Sequence, residues 1–204
     1  MATIQTKEKQ TKLQKYFPWL LVVAGTIGLI SALVLTLEKI TLLKNPEYVL
    51  SCDINPIVAC GSVINTHQAS AFGFPNPLIG IFGFAAVIVV GMSLLAGMKI
   101  VKKWYWRTFW AGTIFGASFI HWLAFQSIFR INALCPYCMV VWTVTIAIFW
   151  YTTLWLLRGG FIALPKGWGK IGDFVQRNHF GILLSWYLII VAVILNHFWY
   201  FFGF

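Results

Sequence analysis

Charge is scarce in this chain. Only 10% of its 204 residues are Asp, Glu, Lys or Arg, and just 5 are acidic. A soluble domain carries about 25% charged residues and about 45–50% apolar ones, whereas 60% here are hydrophobic. So few charges cannot cover a water-facing surface, and so little polarity excludes a disordered chain. The first apolar run is not expected to be a cleavable signal, because it is too long for an h-region and has no small-residue cleavage site. No internal repeat is visible. Each bilayer span takes about 20 apolar residues. The length therefore allows four or five spans and no second, soluble domain.

What is present points to an integral membrane protein. Lys and Arg number 15, giving a net charge of +10. They sit in short clusters between apolar runs, which is a topology pattern and not a nucleic-acid-binding face. The expected fold class is all-α integral membrane. Residues 1–16 form a basic tail with Lys7, Lys9, Lys12 and Lys15 against Glu8. Span 1 is expected over Phe17 to Leu37 with an amphipathic extension to Leu43, span 2 over Pro77 to Met98, and span 3 over Thr108 to Phe129. Span 4 is expected from Pro136 to Leu157 and span 5 from Gly181 to Phe202. Each is long enough, at about 1.5 Å per residue, to cross the hydrocarbon and satisfy its backbone as a helix.

Orientation follows from the cations. The tail, the 99–107 loop (Lys99, Lys102, Lys103, Arg107) and the 158–177 loop (Arg158, Lys166, Lys170, Arg177) hold four each. The opposite side holds only Lys39, Lys44 and Arg130. The N-terminus is therefore expected in the cytoplasm of a multi-pass plasma-membrane protein. The 44–76 segment, the turn near 131–135 and the C-terminus then face outward. All four cysteines fall on that outer side, where disulfides persist.

The outer segment 44–76 reads as packed on the bundle because it has few charges. Asn55 before Pro56 resembles an N-cap with proline at the first helical position, and 55–66 is expected as a short helix. Phe72-Gly73-Phe74-Pro75-Asn76-Pro77 is a turn-rich entry to span 2. Gly112 and Gly116 make a small-xxx-small pattern that lets another helix approach. Aromatic belts are expected at Trp104, Tyr105 and Trp106 inside and at Trp199 and Tyr200 outside.

The sulfur pattern carries the chemistry. Cys135-Pro136-Tyr137-Cys138 opens span 4, and a helix N-terminus stabilises a nearby thiolate. The bland alternatives are half of a zinc site, completed by Cys52 and Cys60, or two inert buried thiols. Cys52 and Cys60 form a second pair on the outer segment. They read either as one structural disulfide or as the outer half of a relay. Thiolate attack on a disulfide moves electrons without any metal, provided the sulfurs can reach each other.

C-x7-C on the first outer loop, followed by C-x-x-C at the start of span 4, resembles the bacterial branch of the vitamin K epoxide reductase family. Cys60-Gly61-Ser62-Val63 and the stretch from Phe72 to Gly80 add to the likeness, which covers about residues 17–158. The unrelated DsbB-type quinone reductases carry the two motifs in the reverse arrangement. The resemblance implies a four-helix bundle around a quinone, menaquinone or ubiquinone, here with a fifth C-terminal transmembrane helix and a short helical outer loop. It implies a 17–158 catalytic bundle, a 159–180 cytoplasmic loop and a fifth span in 181–204. Members oxidise a thioredoxin-fold partner, here a DsbA-like protein, and pass the electrons to the quinone.

Carried over, Cys52 would exchange with the partner, Cys60 would attack Cys135, and Cys138 would lie nearest the quinone. Asn76 matches a family asparagine that hydrogen-bonds a quinone carbonyl, although Asn also favours such turns. Two departures stand out. Thr66 occupies a position where the family often has serine, keeping a hydroxyl. Trp142, followed by Thr143 and Val144, replaces the tyrosine motif of the animal enzymes, which puts epoxide reduction and coumarin-type inhibition in doubt. Some bacterial members carry a fused thioredoxin-like domain. This chain ends at Phe204 without one, so a separate partner is expected. Such a partner near about −120 mV needs a quinone only tens of millivolts higher, since about 30 mV is worth about 1.4 kcal/mol for two electrons.

Among polar residues within spans, His121 is either a proton donor to the quinone or a hydrogen-bonded packing residue. Arg130 either stabilises an anion near Cys135 or snorkels to lipid headgroups. Asp53 beside Cys52 would repel that residue's thiolate if it formed. Phe72, Phe74, Phe82 and Trp142 are candidates for an apolar ring pocket or for core packing. His197 and Asn196 near the outer end of span 5 receive no role. The expected function is a membrane thiol:quinone oxidoreductase with no metal. Two rivals stand beside it: a non-catalytic membrane subunit braced by disulfides, and a membrane protein binding one metal through four cysteines.

Overall fold

Proline and glycine set the helix limits in the computed structural model, which describes residues 2–98, 102–162 and 168–199, with side chains from residue 15 onward. The side chains of Lys7, Glu8, Lys9 and Lys12, together with Lys99, Lys166, Tyr200 and the expected end of span 5 at Phe202, lie outside the described residues. Helix α1 runs Ala2–Lys44, α2 Cys60–Ile64, a 3-10 turn His67–Ser70, and α3 Pro77–Leu95. Helix α4 runs Lys103–Gln126 and continues as a π turn, Ser127–Ile131. Helices α5, α6 and α7 run Pro136–Arg158, Gly169–Arg177 and His179–His197.

Five of these helices are long and apolar enough to cross a bilayer: Lys15–Lys44, Pro77–Leu95, Lys103–Ile131, Pro136–Arg158 and His179–His197. The fold is all-α, and the five expected spans are present. Pro77 and Pro136 occupy first-turn positions of α3 and α5, where a missing N–H costs nothing. Gly97 and Gly160 end α3 and α5 in the left-handed region, with φ of +83° and +67°. The chain closes there with Met98 N–H on the Ser93 carbonyl and Phe161 N–H on the Leu156 carbonyl.

The bundle is an open arc. Helix α3 packs on α1, α1 on α5, and α5 on α4, while α3 and α4 barely meet. Small residues bring α1 and α3 together. A Cβ on Gly28 would fall 2.4 Å from the Phe84 ring, and one on Gly91 would fall 3.0 Å from the Pro18 carbonyl oxygen. The α1–α5 contact stacks Phe17 on Trp155 at 4.7 Å, and the α4–α5 contact includes Trp110 Nε1 donating to Thr153 Oγ1 at 2.9 Å. Lipid tails offer no hydrophobic drive between helices, so close packing and such bonds, about 0.6–2 kcal/mol each, hold the arc.

Several expectations are corrected. Residues 55–59 are not helical. Asn55 Oδ1 accepts from Ile57 N–H and Val58 N–H, making an Asx turn in place of a helix cap. The chain then extends to pair with Leu134, so α2 begins only at Cys60 with Ala59 as its uncapped N-cap. Gly112 meets no neighbour, and Gly116 faces only Thr145; the close helix approach lies between α1 and α3 instead. Trp106 is buried in the core and is no belt residue, whereas Trp104 and Trp199 are exposed. The basic tail continues α1 as helix from Ala2, and the 159–180 loop contains helix α6.

Candidate active site

All four cysteines gather at the end of the bundle where α1 ends, α3 begins, α4 ends and α5 begins. Two backbone bonds bring them together. Leu134 N–H donates to the Ile57 carbonyl at 2.6 Å, and Ala59 N–H donates to the Leu134 carbonyl at 3.0 Å. Leu134 precedes Cys135, and Ala59 precedes Cys60. A single parallel bridge between Val58 and Leu134 therefore sets the two motifs side by side.

Cys52 and Cys60 form a disulfide, while Cys135 and Cys138 are thiols. The Cys135 sulfur lies 3.1 Å from that of Cys60, within reach of thiol–disulfide exchange. Cys135 is the N-cap of α5, and its sulfur accepts from Cys138 N–H at 3.4 Å. The thiol of Cys135 is held below its ordinary range. The hydrogen bond from the Cys138 side chain contributes most, and the backbone N–H groups of Cys138 and Tyr137 add to it; burial and the charge of Asp53 act the other way. A lowered thiol at a helix N-terminus is the reactive kind.

The outer segment is stitched over these sulfurs. Ser51 Oγ donates to Glu38 Oε1 at 2.6 Å, Gly61 N–H donates to Asp53 Oδ1 at 2.8 Å, and Lys39 Nζ donates to the Ile64 carbonyl at 3.0 Å. Cys52, Cys60 and Cys135 are only 4%, 0% and 1% exposed.

Beneath the sulfurs an apolar cavity of about 710 Å³ occupies the gap between α3 and α4. Cys60, Cys135 and Cys138 border one end, and the lining runs down α4 as far as Trp104. That volume and an almost wholly apolar wall with few polar groups suit a small apolar ligand, and the separation of α3 from α4 suits one that enters from lipid.

Of the residues singled out from sequence, Asn76, Thr66 and Trp142 line this cavity. Asn76 also holds the outer turn: its Nδ2 donates to the Gln68 carbonyl at 2.7 Å, and its Oδ1 accepts from Ala71 N–H at 3.0 Å. The Thr66 hydroxyl donates to the Val63 carbonyl. Three residues fall elsewhere. Phe82 is 79% exposed on the outside of α3, while Phe84, two residues on, is the buried ring. Phe72 stands beside the cavity, tilted against Phe119 at 5.6 Å. His121 turns away toward α7, its Nδ1 bonded to the Ala117 carbonyl and its Nε2 accepting from Trp186 Nε1 at 3.0 Å. Arg130 is exposed.

Sequence reading missed Leu134, whose backbone does the positioning, and the buried Glu38 that anchors Ser51. No side-chain pattern marks the first. The second was visible only as the single acid near the outer end of span 1. Thr145 on the cavity wall was likewise unremarked, and Gln126, also on that wall, stood out from sequence only as a polar residue within span 3.

The sequence profile described as the Vitamin K epoxide reductase family matches residues 19–153. That stretch holds all four cysteines and the arc of spans α1, α3, α4 and α5, and it stops short of α6 and α7. With the paired cysteines brought together at one end of a membrane-spanning bundle, the match makes this chain a membrane thiol oxidoreductase belonging to the vitamin K epoxide reductase family.

Proposed function

We propose that the protein reoxidises a DsbA-like thioredoxin-fold partner and passes the electrons to a lipid quinone, menaquinone or ubiquinone, supporting disulfide formation in exported proteins. One observation carries this reading: the Cys135 sulfur sits 3.1 Å from that of Cys60, directly above the apolar cavity. The family's general link to quinones and thioredoxin-like partners supports it. The orientation that suits it places the N-terminus in the cytoplasm and the cysteines outside, as the distribution of Lys and Arg favours.

The sulfur steps balance without any other oxidant. A partner thiolate attacks Cys52, and Cys60 leaves as a thiolate. The partner's second thiol then closes the partner's own disulfide and releases Cys52. The Cys60 thiolate attacks Cys135 of a Cys135–Cys138 disulfide, expelling Cys138. Cys52 closes on Cys60 and frees Cys135. The outer pair ends oxidised and the inner pair ends as two thiols, the sulfur state described above. Asp53 and the Ser51–Glu38 bond hold the outer pair in place between turnovers.

The cavity fits a quinone by its chemistry. Its wall is apolar, it lies where α3 and α4 barely meet, and thiols border one end. A quinone bound there would accept two electrons and two protons. Cys138 would be the sulfur facing it. Asn76 keeps one amide N–H beyond that given to Gln68, a donor suited to a carbonyl oxygen. Trp142 and Thr66 would border the ring, and the apolar wall would exclude water.

The test mixes purified protein with a reduced thioredoxin-fold partner and a soluble quinone. Absorbance follows loss of the quinone, and non-reducing gels follow adducts. Offered the oxidised partner, Cys60→Ser accumulates a mixed disulfide because its free Cys52 thiolate attacks the partner's disulfide and expels one partner thiolate; Cys52→Ser forms none, and with the reduced partner Cys138→Ala abolishes quinol formation. A disulfide-braced subunit would give neither adduct nor quinol. A four-cysteine metal protein would carry stoichiometric zinc.

A further inference from the structure

Helix α7 lies outside the stretch matched to the family and touches the bundle sparingly. Leu183 is its one buried residue. Its polar contacts are nevertheless specific. Trp186 donates to His121, Tyr187 Oη donates to the Thr143 carbonyl at 2.8 Å, and His197 Nε2 donates to Asn132 Oδ1 at 2.8 Å. The last contact falls on the turn that leads into Cys135.

That turn is unusual in its backbone. Asn132 ends the π turn of α4 in the left-handed region, with φ of +56°, and is the one non-glycine residue with positive φ among those described. Asparagine tolerates this conformation better than most residues. Ala133 N–H returns to the Ser127 carbonyl, and Ser127 Oγ donates to the Ala133 carbonyl. The next residue, Leu134, carries the two backbone bonds that place Cys60 beside Cys135. Phe198, fully buried just past α7, packs in one cluster with Leu134 and Ile57. The Phe129 ring meets His197 edge-on at 5.0 Å. The C-terminal end of α7 thus meets the turn two residues before Leu134 through His197, and shares a core cluster with Leu134 and Ile57 of the bridge through Phe198.

We propose that His197 and Phe198 are positioning residues: they clamp the Asn132–Leu134 turn and thereby hold the Cys135 sulfur on Cys60. This inference rests on the exchange reading above. The exchange it serves is a redox-neutral isomerisation. The Cys135 thiolate attacks the Cys60 sulfur, the Cys60–Cys135 bond forms, the Cys52–Cys60 bond breaks, and Cys52 leaves as a thiolate that takes up the proton Cys135 gave to solvent.

The test uses the full chain with Cys138→Ser, which retains three cysteines and one disulfide. Alkylation followed by peptide mapping measures the ratio of the Cys60–Cys135 form to the Cys52–Cys60 form, with no quinone or partner present. His197→Ala lowers that ratio about two- to tenfold, the span one hydrogen bond covers. His197→Gln, which still offers an N–H to Asn132, restores it to within about twofold of the parent. Asn132→Gly keeps the left-handed backbone and removes the acceptor. It lowers the ratio equally, and adding His197→Ala to it changes nothing further. Phe198→Ala lowers the ratio as well.

A ratio unmoved by His197→Ala, equal loss in His197→Gln, or additive effects of the two site changes would overturn the proposal. So would a fall in unfolding temperature with an unchanged ratio, which marks a merely structural helix. If the three-cysteine parent forms no Cys60–Cys135 bond at all, the exchange reading has failed and the clamp falls with it. If the parent forms that bond and the variants match it, the clamp alone is wrong.

Discussion

Filling the gap between α3 and α4 tests whether the cavity is the electron acceptor's site. Gly83 on α3 and Gly112 on α4 both line it, and a Cβ added to either meets no atom within 4 Å. Gly83→Leu and Gly112→Leu therefore introduce side chains without displacing the helices. A leucine fills on the order of 100–150 Å³, the size of the void left when a buried one is removed. Two of them occupy roughly a third of the cavity's 710 Å³. Helix stability does not suffer, since glycine is about 1 kcal/mol worse than a good helix former. A ligand forced into the smaller space meets an overpacking cost of about 1–3 kcal/mol. At about 1.4 kcal/mol per decade, kcat/KM for a short-chain quinone falls by roughly 5- to 150-fold. The assay is steady-state quinone absorbance, run beside the Cys52–Cys60 to Cys60–Cys135 isomer ratio, which stays unchanged. Two leucines that leave kcat/KM within twofold of wild type, in protein that folds normally, would refute the assignment of this cavity.

Other expectations follow from single contacts. The isomerisation rate tracks the Cys135 thiolate, so it reaches half its maximum at a pH below that of an ordinary thiol. Cys138→Ala moves that midpoint up and Asp53→Asn moves it down, because the first removes the largest lowering contact and the second an opposing charge. Gly91→Ala drives a Cβ against the Pro18 carbonyl oxygen and loses about 1–3 kcal/mol in detergent unfolding, whereas Gly83→Ala loses nothing. Asn55→Ala leaves two N–H groups without their acceptor and costs about 1 kcal/mol for each bond, read as a lower unfolding midpoint.

The spans were legible as apolar runs, and first-turn prolines marked the starts of α3 and α5; α3 stops at Leu95, short of the expected Met98, because Gly97 ends it, and α4 starts at Lys103, before the expected Thr108. The gathering of the four cysteines was legible because their spacing places each pair beside the end of a span. The faces of the helices were not. In lipid every face of a span is apolar, so periodicity does not separate Phe82 from Phe84, although one faces outward and the other is core. His121 suffers the same ambiguity, and its partner Trp186 sits 65 positions away. Of the helix expected over 55–66, only Cys60–Ile64 forms; 55–59 do not, because an asparagine carbonyl satisfies an Asx turn as readily as a helix start, and the backbone of Leu134 decided between them. Backbone pairing of this kind leaves no residue signature, which is why the bridge that joins the two cysteine motifs emerged only from coordinates.

The central claim is that electrons reach the quinone through the inner pair. Its most direct test is a single anaerobic turnover of fully reduced protein with one equivalent of quinone, with quinol measured against mapped disulfides. One Cys135–Cys138 or Cys52–Cys60 bond should appear per quinol, with none of either product in Cys138→Ala. Quinol formed at the wild-type rate without Cys138, or disulfides formed with no quinol, would contradict it.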